Sequence, residues 1–507
     1  MAKNTLVFIV FLALAIFVTW PLAISLDHLI IDRYDSLLIV WIQNWVLHSP
    51  LALNANIFYP YQNTLAFSDY HLVSALIGAP FVWLTREPLV SFNVNLILGL
   101  ALTGLATYLL TKHLTKQAPV SFLAGTLLTF STIHLNYLAH PQLFHIWLII
   151  LPILFLLQKH KKLFALFFIL AVANSPLNFY FLLFFGLLLR KNLRWALASV
   201  FLSVPLLIPY FLVSRQFNYV RPITDAINFS LQFPDLVNVS SFSRLGQFVA
   251  ASPGTPAYLG GVFLILILLM IHKSKFNRWL LGAGVSFILA LGPALHIFRN
   301  TVHLGPIPAL PLPYALFYYL VPGFSAFRTP SRWILITAAC LTVAIALHFA
   351  KRITWPWAIV LSGLVLLEVN FPLKYVSVPS VSQFPPEQVW LKDNYIGAPI
   401  IQFPIYGWFD GQNLGVETLR EYYSTIHWHP MVNGYSGYSP TEWENRVKWL
   451  QKNFPSSETI DYLENLGVKL VLVPADLNPL CCQNKLKLVA RFPNAYVYAF
   501  SDHSSQK

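Results

Sequence analysis

Residues 31–45 read IDRYDSLLIVWIQNW, and they set the terms for the rest of the chain. They follow a long apolar run, Thr5 to Leu26, and place Asp32 and Asp35 where a chain leaving a bilayer would still lie against lipid. A carboxylate in that position must neutralise, pair or reach water. The pattern therefore predicts a wet vestibule at a membrane surface. From Ser36 to His48 the apolar residues Leu37, Leu38, Trp41, Trp45 and Val46 recur near helical spacing, with Gln43, Asn44 and His48 between them. This predicts a short interfacial helix with Trp41 and Trp45 at headgroup level. Asp35 opens that helix as an N-cap or a functional acid, and Asp32 either pairs with Arg33 or faces solvent.

Composition agrees with a membrane setting. Of 507 residues, 56% are hydrophobic and only 10% are charged, against about a quarter charged in soluble domains. Apolar runs near the roughly 20 residues needed to cross a hydrocarbon core recur over most of the length. The first has Lys3 before it but no small-residue cleavage site, so it is expected to be a retained span rather than a signal peptide. The net charge of +13 comes from short Lys/Arg clusters between apolar runs, which is topology information and not a nucleic-acid patch. Cys340 lies in an apolar run and Cys481-Cys482 are adjacent, so no disulfide framework is indicated.

Five basic linkers, Lys112 to Lys116, Lys159 to Lys162, Arg190 to Arg194, Lys273 to Arg278 and Lys351-Arg352, are each separated from the next by two apolar runs. Placing all five on the cytoplasmic side gives about eleven spans with a cytoplasmic N-terminus. Leu163 to Ala173 is the shortest of those runs. His71 to Thr85 is short, contains Pro80 and breaks the parity, so it is expected to be an interfacial or re-entrant helix. The expected fold is a polytopic α-helical membrane domain, residues 1–373, with a large first outer loop, 27–88, followed by an extracytoplasmic α/β domain, 374–507. In that last domain strands are expected at 399–403, 468–473 and 495–500, and helices at 385–394 and 456–466.

The first outer loop carries a net charge of −3. Asp69 and His71 close it, as helix-capping groups or as polar contacts in a wet cavity. The outer loops otherwise hold arginines against the usual charge bias, among them Arg215, Arg221, Arg328 and Arg332. Guanidinium groups bind two phosphate oxygens at once, although snorkelling at a span end accounts for them equally well. His427 and His429, followed by the Tyr435 region, suit either a carbohydrate face or a packed docking loop. His134, His140 and His145 lack metal-ligand spacing and read as satisfied interfacial histidines.

The acidic first loop with its interfacial helices, the phrases ANIFYPYQNTLAFSDYH (55–71), PGFSAFRTPSRW (322–333) and HWHPMVNGYSGYSP (427–440), and the many-span layout with an outer C-terminal domain resemble the GT-C superfamily of membrane glycosyltransferases. The resemblance covers most of the chain. It implies an inverting transfer of a sugar from a polyprenyl-phosphate-linked donor to a glycan or lipid acceptor, on the outer face of a bacterial cytoplasmic membrane. It places the general base on Asp35, with Asp32 as the alternative. The arginines, Asp69 and His71 become donor-phosphate or substrate contacts, and His427, His429 and Tyr435 acceptor contacts. No compact D-x-D or E-x-D pair is present, so no metal ligands are assigned and a divalent ion is left open. Two other classes fit the layout. An ion-coupled lipid or glycan transporter would need ionisable groups inside the spans, which are almost bare of them, whereas a passive transporter or a flippase would not. A non-catalytic glycan-binding scaffold would need none of the first-loop acids.

Overall fold

The computed structural model describes residues 2–189, 193–248, 254–272, 275–297, 300–303, 305, 309–477 and 485–501. Cys481, Cys482, Arg190, Lys191, Lys273 and Arg299 lie outside the described residues. The chain is mostly helical and divides into two compact units, Met1–Ile24 with Val94–Lys374, and Ser25–Asn93 with Tyr375–Lys507.

The first unit is a set of apolar helices. Among the described residues of the whole chain, three helices are long and apolar enough to cross a membrane, Leu89–Thr115, Leu197–Gln216 and Pro330–Phe349, and eight shorter apolar helices accompany them. Leu163 to Ala173 lies within the helix Lys161–Asn174. Small residues let these helices approach closely, as expected where lipid removes the hydrophobic drive to associate. A Cβ at Gly125 would stand 2.6 Å from the ring of Phe11, which belongs to the helix Ala2–Val18. Polar pairs tie helix to helix as well: Ser286 and Thr337 share a hydrogen bond of 2.9 Å. The Glu368 carboxylate accepts from the Gly261 amide at 2.9 and 3.0 Å, at the start of the helix Gly261–Ile271, where a negative charge suits the helix dipole.

The second unit joins the early loop to the C-terminal segment through main-chain bonds. Leu29 and Ile30 pair antiparallel with Ser377 and Val376. The Phe58 amide donates to Asn433 O at 3.0 Å, Tyr59 to Met431 O at 2.8 Å, and Met431 to Asn56 O at 2.8 Å. Residues 25–93 thus belong to the same compact body as the C-terminal segment. Its sheet has four strands, β1 (Ile400–Gln402), β2 (Leu470–Pro474), β3 (Leu486–Arg491) and β4 (Ala495–Phe500), in the order β1-β2-β4-β3. The first pair is parallel and the others antiparallel. Helices form at Pro386–Asp393, Leu414–Ser424, Thr441–Asn453 and Ser457–Asn465.

The helix Asp35–His48 forms at the expected position but in a different environment. Every residue from Ser36 to Val46 is buried. Trp41 donates Nε1–H to Asn56 Oδ1 at 3.0 Å, and Trp45 donates to Ala52 O at 3.0 Å. The headgroup-level placement of these tryptophans is corrected. Both indoles are packed inside the second unit with their N–H groups satisfied by protein, and a helix buried on all sides is a core helix. Leu72–Thr85 keeps the expected two-sided character, burying Val73, Ala75 and Ala79 while exposing Leu76, Trp83 and Leu84.

Candidate functional site

The two early aspartates have separate jobs. Asp32 Oδ1 accepts from the Tyr34 amide at 2.7 Å and the Ser36 amide at 3.5 Å, while Oδ2 accepts from the Ser36 hydroxyl at 2.6 Å. Asp32 therefore holds the entry to the helix, reaching the Tyr34 amide before it and the Ser36 amide and hydroxyl in its first turn. Asp35, in that first turn and half-buried, does not supply the cap. Its Oδ1 accepts a hydrogen bond from the Tyr435 hydroxyl at 3.3 Å, across 400 residues of chain.

Tyr435 is held on three sides. Its ring lies 5.3 Å from that of Trp408 at a 32° tilt. Its amide donates to Glu421 Oε1 at 2.5 Å. Two glycines bracket it because the backbone must come close to the first loop. A Cβ at Gly434 would meet the Phe58 ring at 2.9 Å, and one at Gly437 would meet Phe67 O at 2.9 Å. Burial raises the Tyr435 hydroxyl above its ordinary value, and the Asp35 charge raises it further, so the phenol stays a donor.

Glu421 and Glu417 form a buried acid pair on the helix Leu414–Ser424, which packs against Asp35–His48. Glu417 is fully served: Oε1 accepts from Arg420 Nη1 at 2.8 Å and the Tyr406 amide at 2.9 Å, and Asn433 Nδ2 donates to Oε1 and Oε2 at 3.2 and 3.1 Å. Glu421 Oε2, in contrast, is buried with no hydrogen-bond partner among the described residues. Burial pushes Glu421 well above the carboxylate range, the Tyr435 amide opposes that, and the Glu417 charge adds to it. The neutral acid is the favoured form at this position.

The remaining expected site residues are distributed as follows. Asp69 is half-buried at the entry to Leu72–Thr85. His71 is wholly buried at the N-terminal boundary of that helix with a left-handed φ of 53°, which removes it from the wall of a water-filled cavity. His427 and His429 are buried too. His429 places Nδ1 2.8 Å from Ala398 O and Nε2 2.9 Å from Leu391 O. His427 Nε2 lies 3.3 Å from Gln388 Oε1, and its Nδ1 accepts from the His429 amide at 3.1 Å. Burial lowers His427 to about 3, and the neighbouring His429 adds to that. Rings committed in this way hold the core together and offer nothing to a glycan, so the glycan-contact expectation for the two histidines is corrected.

In the first unit, Arg221, Arg328 and Arg332 come near enough for their charges to act on one another. Burial lowers the Arg221 guanidinium, and Arg328 and Arg332 lower it further, against the opposing pull of Tyr219 and Asp225. Arg328 lies over the Phe229 ring at 4.6 Å and Arg221 over Tyr219 at 5.2 Å. Arg215 stands apart, exposed, over Phe211 at 4.6 Å.

No known family model matches the sequence, and no curated protein matches it. The fold, in contrast, is similar to that of a solved glycosyltransferase. The mycobacterial arabinofuranosyltransferase AftD matches 99% of this chain at 14% identity with a TM-score of 0.59, and this chain spans 40% of its length. The chain has the fold of this arabinofuranosyltransferase over nearly its whole length. The oligosaccharyltransferase of Archaeoglobus fulgidus is matched over 99% of this chain and 74% of its own, at 13% identity and a TM-score of 0.42. ArnT from Cupriavidus metallidurans is matched over 98% of both chains, at 12% identity and a TM-score of 0.38.

In this fold the first-loop acid, a phenol and a buried carboxylic acid are in series. The first two were singled out in the sequence, but Glu421 was not. Glu417, Arg420 and Glu421 recur at i, i+3 and i+4, the spacing of one helix face, and that face turns inward. A charged triplet sharing a face with Tyr422-side apolar residues was the available signal. The resemblance stated for the sequence leaves a divalent ion open. Among the described residues no group of three or more His, Cys, Asp or Glu side chains is arranged to hold a metal. His134 and His145 are taken up by Thr129 O, Phe144 O and Trp147 Nε1.

Proposed function

We propose that the protein is a glycosyltransferase that moves a sugar from a polyprenyl-phosphate-linked donor to an envelope acceptor at the outer face of the cytoplasmic membrane. In this reading about eleven crossings leave the N-terminus in the cytoplasm and the second unit outside. The observation that carries it is the half-buried Asp35 carboxylate, which accepts from the Tyr435 hydroxyl at 3.3 Å. The GT-C fold and the resemblance of the first loop support the same assignment.

The chemistry is a single displacement with inversion. The acceptor hydroxyl oxygen forms a bond to the anomeric carbon, the bond from that carbon to the phosphate oxygen breaks, and its electron pair leaves with the lipid phosphate. The acceptor proton passes to Asp35. Glu421 does not touch the reacting atoms. It is a positioning residue, gripping the Tyr435 amide from a buried site and so fixing where the phenol meets Asp35. Arg221, Arg328 and Arg332 are assigned to the lipid phosphate, where fixed positive charge stabilises the departing oxygen. Arg215, exposed on Phe211, is assigned to lipid headgroups.

The test is product analysis. Membranes containing the protein are given a panel of radiolabelled polyprenyl-phosphate hexoses and pentoses, with Asp35→Asn in parallel. One donor is expected to yield labelled envelope product that the variant does not form. Translocation of the lipid-linked sugar with no transfer product would replace this reading with a flippase.

A further inference from the structure

Beside the sheet of the second unit is a cavity of about 240 Å³ that the transfer chemistry does not use. It opens at the carboxyl ends of the parallel strands β1 and β2, through Gln402 and Phe403 on one and Leu472 to Pro474 on the other. Open α/β sheets bind ligands in that place, because the chain there leaves the sheet and exposes unsatisfied groups beyond it. The helices Pro386–Asp393 and Leu414–Ser424 supply the walls.

Its polar lining is buried and only partly satisfied. Gln388, Gln402 and Arg420 are 3%, 4% and 9% exposed. Gln388 Nε2 donates to Gln402 Oε1 at 2.9 Å, which fixes one amide against the other. Gln402 Nε2 meets only the Met431 sulfur, at 3.6 Å, a weak acceptor. Arg420 uses Nη1 alone, for Pro404 O at 2.7 Å and Glu417 Oε1 at 2.8 Å. Its Nε and Nη2 make no hydrogen bond among the described residues, although a guanidinium carries five N–H donors. At the rim Glu387 and Tyr423 are half-buried and near enough for the Glu387 charge to raise the Tyr423 hydroxyl.

The lining therefore offers amide and guanidinium donors, one carboxylate acceptor, one phenol and the Phe403 side chain. Arg420 is already paired with Glu417 at 2.8 Å, which leaves the Glu387 carboxylate at the rim and disfavours an anionic ligand. Planar paired donors and acceptors match adjacent hydroxyl groups, and aromatic walls match the C–H face of a ring. The volume is below the roughly 300–1,000 Å³ of pockets for drug-sized ligands, so a single ring fits. We propose that this cavity binds one neutral sugar residue, as a glycan-recognition site separate from Asp35. The proposal does not rest on the transferase reading.

The test uses full-length protein in phospholipid nanodiscs, since alkyl-glycoside detergents would compete. Saturation-transfer NMR is recorded with methyl glycosides of glucose, galactose, mannose and arabinose, with methyl glucuronide and tri-alanine for comparison. At least one neutral glycoside is expected to bind. Glu387→Gln with Tyr423→Phe should weaken it tenfold or more, and Val416→Trp, which fills the cavity mouth, should abolish it. Asp35→Asn should bind as the wild type does, so loss of transfer and loss of recognition are read apart. Binding of no neutral glycoside, binding of only the glucuronide or the peptide, or binding indifferent to both the rim double variant and Val416→Trp would each overturn the proposal.

Discussion

Exchanging the two early aspartates separates stability from chemistry. Asp32→Ala removes the acceptor for the Tyr34 and Ser36 amides and for the Ser36 hydroxyl, and Ser36 is fully buried. Loss of the cap costs about 1 kcal/mol. Stranding a buried hydroxyl adds about 1–3 kcal/mol, so the expected destabilisation is about 2–4 kcal/mol. Asp32→Asn keeps an amide oxygen in place and should recover most of it. Asp35→Asn keeps an acceptor for the 3.3 Å bond from Tyr435 and should change stability by less than about 1 kcal/mol. Its effect falls on the reaction, where removing a general base costs about 10²–10⁴-fold. Unfolding midpoints in nanodiscs and transfer rates on the same preparations read both quantities. The assignment is refuted if Asp32→Ala abolishes transfer with its unfolding midpoint unmoved, or if Asp35→Asn transfers at the wild-type rate.

Other expectations follow from the same geometry. Glu421 has a folded-state value raised by burial, so its contribution to stability is complete below the unfolded-state value and is lost as pH rises through the folded one. The wild-type unfolding midpoint should fall as pH rises above the ordinary carboxylate range, and Glu421→Gln should flatten that fall; parallel curves would remove the buried neutral acid. Arg328→Gln and Arg332→Gln should each weaken retention of polyprenyl phosphate about tenfold or more, consistent with about 1.5–3 kcal/mol for a charge-assisted bond, while lysine replacements recover only part. Unchanged affinity in a binding assay would take the phosphate away from that cluster. His429→Ala should destabilise the protein by about 2–4 kcal/mol without altering its affinity for any glycoside, and a selective loss of sugar binding at full stability would restore the ring as a ligand contact.

Several elements were legible locally. The helix at 35–48, the strands at 400–402, 470–474 and 495–500 and the helices at 386–393 and 457–465 follow apolar periodicity and turn residues, which neighbours in sequence control. Strand β3 was not read, because 486–491 alternates charged and apolar residues without a strong β-branched run. The cap assignment moved from Asp35 to Asp32. Two aspartates three apart both satisfy the sequence rule, and only the backbone at Tyr34 decides which one reaches the first amides. Trp41 and Trp45 are equally common in membrane belts and in cores, so spacing alone could not place them.

Composition and hydropathy by themselves determined that this chain lives in a membrane, since lipid leaves the backbone no partners but its own and helices must follow wherever apolar runs are long. They also marked Asp35 and Tyr435 as polar groups needing a reason. Which groups meet was decided by tertiary packing alone. Asp35 and Tyr435 are 400 residues apart, and Glu421 joins them only because the face of an otherwise ordinary amphipathic helix turns inward. Long-range contacts of that kind depend on how whole elements bury their surfaces, a quantity no local spacing contains.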